Sequence, residues 1–290
     1  MELIKVGEKT YYIKNNTNIG IYKIDEDSVY LIDTGNDESA AKKILKIINE
    51  NNWHVLGIIS THSNADHIGG NALIQKRCNC PVYAYGLEKY FIENPILEPL
   101  FLYGSLPFKD LENKFLKADS SINVLDINEL NINGLEHFNL KGHFLDMIGI
   151  KTSDNVYFIA DSLFNENTIS KYHLFFIYDV LEYLKTLNYL KTINGLFIPS
   201  HGEVTNDIKH LIELNENKIN EISNLIYEIC KEEITFEKIL EKVFNHYNLN
   251  MNCNQFYLIS STIKAYLTYL LNEKKINYKF ENNQMKWFQI

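Results

Sequence analysis

The segment Thr61-His62-Ser63-Asn64-Ala65-Asp66-His67-Ile68-Gly69-Gly70 constrains this chain more than any other. It follows an apolar run, Val55-Leu56-Gly57-Ile58-Ile59-Ser60, that reads as a buried strand. Two imidazoles and a carboxylate then crowd into six residues, and two glycines follow. Side chains of these types at the end of a strand can converge on one metal ion. One histidine alone would read as part of a polar loop. A set this dense reads as half of a metal site, and the other half must come from elsewhere in the chain.

Three later positions supply it. His143 sits in Lys141-Gly142-His143-Phe144, Asp161 follows Val156-Tyr157-Phe158-Ile159-Ala160, and His201 sits in Ile198-Pro199-Ser200-His201-Gly202. Each lies after a strand-like segment or in a loop between two. With Asp33 in Leu31-Ile32-Asp33-Thr34-Gly35, the set resembles the metallo-β-lactamase superfamily, whose signature runs H-x-H-x-D-H, then G-H, then D, then H. The resemblance spans roughly Ile4 to Val204. It implies two metal positions, one held by His62, residue 64 and His143, the other by Asp66, His67 and His201. Asp161 would bridge them, and Asp33 would lie beneath the metal loop in a structural role. Relatives that hydrolyse β-lactams usually lack a histidine at the place of His67, so the resemblance is to the glyoxalase II-like branch. One position departs from the signature, since Asn64 stands where the second histidine belongs. A neutral carboxamide binds a transition metal more weakly than imidazole. Its oxygen could still ligate, or it could orient a water. The resemblance implies zinc, one or two ions per chain, with iron or manganese compatible.

The implied fold class is α/β, a four-layer αββα sandwich, and the local patterns agree with it. Tyr11-Tyr12-Ile13, Ile19 to Ile24 and Val29 to Ile32 are strand-like, whereas Asp37 to Asn51 carries the apolar stripe of a helix with Asp37 as its cap. A chain of 290 residues suits one large domain and a small appendage. We read residues 1–206 as the sandwich, with a lid-like insertion at about 86–120, and residues 207–290 as a helical, winged-helix-like region. The net charge of -9 argues against a nucleic-acid partner. No apolar run reaches the length of a membrane span, and the start lacks the basic and apolar regions of a secretory signal. These features, with four cysteines in no disulfide-like spacing, give the expectation of a cytoplasmic protein with reduced thiols.

Two aromatic segments interrupt the alternation of strands and helices. Gly86 to Ser120 reads equally as a wall of the substrate cleft, as lids packed on the core or as a homodimer contact. Leu163 to Tyr178 adjoins Asp161 and is read as pocket lining, with Tyr172, His173 and Phe176 as the residues facing a small, partly apolar substrate. The expected activity is that of a metallo-hydrolase. A metal-bound hydroxide, with Asp66 as the catalytic carboxylate, would attack an ester, thioester, amide or phosphodiester. Two alternatives stand beside it. His62, His143 and Asp161 form the two-histidine, one-carboxylate set of a mononuclear non-haem iron oxygenase of the persulfide dioxygenase type. The loss of one histidine also suits a non-catalytic, ligand-binding member of the fold.

Overall fold

The computed structural model describes residues 1–290. Seven strands form the first sheet in the order β1 (Glu2–Lys5), β2 (Thr10–Lys14), β3 (Ile19–Lys23), β4 (Ser28–Ile32), β5 (His54–Ile59), β6 (Val82–Ala84) and β7 (Leu125–Asp126). The first four pair antiparallel, and β4 through β7 run parallel. The change of direction follows from the connections. Short turns join the early strands, whereas α1 (Glu38–Glu50) carries the chain from β4 back to the start of β5. Asp37 caps that helix by accepting from the Ala40 amide. The short helix α2 (Ala65–Ile68) and α3 (Asn71–Cys78) follow β5, and α4 (Glu88–Glu93) and α5 (Leu97–Tyr103) lie between β6 and β7.

The second sheet holds β8 (Leu135–Asn139), β9 (Ile148–Thr152), β10 (Val156–Phe158) and β11 (Leu196–Ile198), in the order β11-β10-β9-β8. Helices α6 (Glu166–Tyr172) and α7 (Val180–Leu190) connect β10 to β11 as a crossover, and these two strands are parallel.

Side chains alternate across each strand, and the alternation creates the layers. Tyr12, Ile32, Ile59, Ile148, Ile150, Phe158 and Ile198 face inward and form the core between the sheets. Their neighbours Ile13, Leu31 and Ile58 face the other way and pack under Ala41, Ile44, Ile48 and Ile74 of α1 and α3. On the second sheet, Tyr157 and Phe197 face outward onto Tyr183 and Leu187 of α7. The result is the expected four-layer sandwich. One part of the strand reading is revised. Val55 pairs with Val29 but Gly57 pairs with Tyr30, so Leu56 is the extra residue of a bulge and is 40% exposed.

After β11 come α8 (Lys209–Ile229), α9 (Phe236–His246), α10 (Cys253–Asn272) and the hairpin β12 (Ile276–Glu281) and β13 (Gln284–Gln289). The expected boundary at residue 206 does not coincide with a break in packing. Ile212, Ile219 and Ile226 of α8, Leu240 of α9, and Ile263 and Leu267 of α10 join Tyr157, Tyr183 and Phe197 in one buried cluster. Cys80 and Cys230 are buried and all four cysteines are free. No helix is long and apolar enough to cross a membrane.

One glycine fixes how the second sheet meets α7. Gly142 has φ +117°, and a Cβ there would lie 2.2 Å from the Tyr183 backbone nitrogen. Gly142→Ala should therefore cost on the order of 1–3 kcal/mol from backbone strain alone, read as a lowered melting temperature. An unchanged melting temperature would mean that residue 142 leaves the positive-φ conformation at no cost.

Candidate metal centre

The ends of the strands bring the candidate ligands together. His62 lies just beyond β5, Asp66 and His67 are on α2, His143 is in the loop between β8 and β9, and Asp161 and His201 follow the parallel strands β10 and β11. Two groups have ligand atoms within 4.8 Å of one another, His62 with His143 and Asp161, and Asp66 with His67 and His201. Asp161 joins the groups. Its Oδ1 lies 3.3 Å from His67 Nε2, and its Oδ2 lies 3.5 Å from His143 Nε2 and 3.3 Å from His201 Nε2. Asp66 Oδ2 is 3.2 Å from His201 Nε2.

The outer partners of the four imidazoles settle their orientation. His143 Nδ1 is 2.9 Å from the Phe176 carbonyl, and His201 Nδ1 is 2.9 Å from the Asn16 carbonyl. A carbonyl only accepts, so both Nδ1 atoms carry the proton. His67 Nδ1 faces the Asp33 carboxylate at 2.8 Å. His62 Nδ1 is 3.1 Å from Thr61 Oγ1, whose own proton goes to Asp33 Oδ2 at 2.7 Å, so His62 Nδ1 is again the donor. All four Nε2 atoms thus point inward, the arrangement by which outer hydrogen bonds present histidines to a metal.

The interior of this cluster is poor in donors. His62 Nε2 is buried without a hydrogen-bond partner, and His67 Nε2 and Asp161 Oδ1 are buried facing each other at 3.3 Å without hydrogen-bond geometry. Orphaned buried polar atoms are costly, and several converging on one point need a cation or a proton between them. The donor set, imidazole nitrogen and carboxylate oxygen, fits a divalent transition metal.

The charges sort by position. Burial, the largest influence, and the neighbouring His67 hold His62 well below the ordinary imidazole pKa, and burial also lowers His143. Burial opposes charge on His67 and His201 as well, but the carboxylates of Asp161 and Asp66 outweigh it and raise both well above the ordinary value. The metal-free protein therefore stores protons on His67 and His201.

Asp33 is buried at the end of β4 with φ +61° and accepts from the Thr61 amide at 2.8 Å, from the Thr61 hydroxyl and from His67. The expected structural role beneath the metal loop is what this geometry provides. Two further acids escaped the sequence reading. Glu88 is fully buried and accepts from the Ser63 amide at 2.9 Å and the Asp146 amide at 2.8 Å, tying the metal loop to the loop that carries His143. Burial pushes its carboxyl up to about 7. Glu98, 5% exposed, accepts from Asn64 Nδ2 at 2.9 Å. The available signal was one acid in each of two apolar stretches, Leu87 to Ile92 and Pro95 to Tyr103.

The expected pocket lining is partly revised. Phe176 packs its ring beside His143, with centroids 5.7 Å apart. His173 instead stacks on Tyr247, with centroids 4.9 Å apart, and Tyr172 is exposed beneath the Lys171 ammonium. His173, at the end of α6, thus meets the C-terminal helices despite its nearness to Asp161 in sequence. In the insertion, the rings of Phe91 and Phe101 pack against Phe144. The cluster opens on the side of Asp66 and His201, whose side chains are 42% and 26% exposed. A cavity of about 540 Å³ borders His201, and Asn15, Asn16, Asn165 and Asn167 give it a polar lining.

Metal binding needs the imidazoles neutral, so it should displace the protons on His67 and His201. Affinity for zinc should rise as pH rises through their elevated pKa values. Calorimetric titration in two buffers of different ionisation enthalpy checks this. Heats that do not depend on the buffer would show that no proton leaves.

The family model described as the metallo-beta-lactamase superfamily matches residues 13–219. A hydroxyacylglutathione hydrolase from Prochlorococcus marinus (strain MIT 9301) is 36% identical over 75 residues, 26% of this chain and 29% of that protein. The chain thus matches under a third of that relative's length. Among solved structures, a beta-lactamase domain protein from Burkholderia ambifaria superposes with a TM-score of 0.77 at 15% identity, covering 100% of this chain and 94% of that one. A metallo-beta-lactamase family protein from Thermus thermophilus gives 0.72 at 15% identity, covering 99% and 97%. With the family model matching well over half its residues, the chain belongs to the metallo-beta-lactamase superfamily.

Proposed function

We propose that the protein is a metal-dependent hydrolase of the glyoxalase II-like branch, acting on an ester, thioester, amide or phosphodiester. The observation that carries this reading is the retention of Asp66, His67 and His201 as a cluster on the open side of the centre. A mononuclear oxygenase built on His62, His143 and Asp161 would not need them as ligands. The partial match to a hydroxyacylglutathione hydrolase supports the same class. Zinc is the proposed metal, a small molecule the proposed substrate and the cytoplasm the proposed setting.

Divalent ions at this centre would supply Lewis acidity and acidify water, the chemistry hydrolysis needs. The chain's own residues would do the rest. Asp66 Oδ2 is held by the Thr17 hydroxyl at 3.3 Å and faces His201, which leaves Oδ1 to take a proton from the attacking water. The Asn16 carbonyl keeps the His201 ring in place at the rim. Phe164 and Phe176 flank His143 and keep the inner side of the centre dry. The polar cavity beside His201 suits the hydrogen-bonding groups of a small, partly apolar substrate.

Asp66→Ala should lower turnover by about 10²–10⁴-fold and release metal from the outer cluster. Turnover by zinc- and iron-loaded protein is compared on thioester, phosphodiester and persulfide substrates, with oxygen uptake recorded. Full metal content and full turnover in Asp66→Ala would refute the role of Asp66. Oxygen uptake that requires iron and survives His67→Ala would replace the hydrolase by the oxygenase.

A further inference from the structure

Asn64 occupies the N-cap of α2, where an asparagine ordinarily accepts a backbone N–H of the first turn. It makes no such bond. Its carboxamide is turned elsewhere, with Nδ2 donating to Glu98 Oε1 at 2.9 Å and Oδ1 lying 3.2 Å from His143 Nε2. The second contact has no proton in it when His143 donates from Nδ1 alone. His143 Nδ1 holds the ring proton against the Phe176 carbonyl, so an amide oxygen faces a nitrogen lone pair. Rotating the carboxamide by half a turn would relieve this by letting its NH₂ donate to His143. Glu98 holds the carboxamide as it stands, because its Oε1 accepts from Nδ2 and a half turn would break that bond. Glu98 itself is a costly residue to bury, and the contact to Asn64 is the only hydrogen bond its carboxyl makes to the rest of the chain.

We propose that Glu98 is a positioning residue that locks the Asn64 carboxamide with Oδ1 turned inward, making it a neutral oxygen ligand beside His62, His143 and Asp161. The proposal rests on the metal-binding part of the reading above. It gives the two positions matching donor sets. Each has two imidazoles, the shared Asp161 and one further oxygen, from Asn64 at the inner position and from Asp66 at the outer. They differ by one negative charge, so the inner position binds a dication more weakly.

The test is competition of metal-free protein against a chromophoric chelator, with zinc ion as the probe and melting of the metal-free protein alongside. The unaltered protein should show one tight and one weak event. Glu98→Leu fills the same apolar surroundings without an acceptor. It should leave the metal-free melting temperature undiminished while weakening the weak event about 10–100-fold and sparing the tight one. Glu98→Gln, whose carbonyl can accept the same hydrogen bond, should stay within about threefold of the unaltered protein. Asn64→Leu should weaken the same event, and adding Glu98→Leu to it should change nothing more. Asn64→His should tighten it. The proposal is overturned if Glu98→Leu leaves the weak event unchanged, weakens both events alike, or weakens binding equally in the Asn64→Leu background. An unaltered protein that binds no zinc would refute the metal reading itself, whereas two binding events indifferent to Glu98 would refute only this proposal.

Discussion

The carboxylate of Asp33 is the contact on which the site depends. It sits at the end of β4 and takes three hydrogen bonds, from the Thr61 amide, the Thr61 hydroxyl and His67 Nδ1. A buried carboxylate is tolerable only when its oxygens are satisfied, and here the donors are the metal loop itself. The backbone of the loop, the tautomer of His67 and, through Thr61, the tautomer of His62 are all set from this one residue. Removing it would leave a buried ring N–H and a buried amide unpaired at once. The positive φ of Asp33 is the backbone cost of aiming the carboxylate under the loop instead of along the strand.

The layered fold and the candidate ligand set are legible in the sequence, for physical reasons. The short apolar runs Tyr11 to Ile13 and Val29 to Ile32, with turn residues such as Asn15-Asn16 and Asp25 to Asp27 between strands, report strands that have cores on both faces. The density of His62, Asp66 and His67 reports a shared target, because isolated polar loops have no need of such crowding. What the sequence hides is contact at a distance. Glu88 and Glu98 lie in an insertion whose aromatic content draws attention to itself, and neither carries a spacing signal. Only the folded chain places one against Ser63 and Asp146 and the other against Asn64. His173 errs in the opposite direction. Nearness to Asp161 along the chain suggests a pocket residue, but the turn of α6 carries its ring to Tyr247.

The centre is built asymmetrically across its depth. His62, His67, His143 and Asp161 are almost wholly enclosed, whereas Asp66 and His201 meet solvent. Burial holds His62 and His143 neutral, and the carboxylates beside His67 and His201 hold those two protonated. One pocket of side chains thus contains two neutral imidazoles, His62 and His143, and two ion-paired ones, of which His67 is buried and His201 lies at the rim. The ligand types differ by little between the two pairs, and their surroundings differ by much.

The single packing cluster that joins the second sheet to α8, α9 and α10 has a consequence for cooperativity. Asp161 and His201 hang from β10 and β11, and the outer faces of those strands are covered by the same buried residues that hold the C-terminal helices. Separating the helices would strip apolar cover from the strands, so the two are expected to melt as one unit. Free energy gained by occupying the centre is therefore shared with the remote helices, which become harder to open although they touch no ligand. The C-terminal region acts as ballast for the centre, and the centre in turn as a clamp on it.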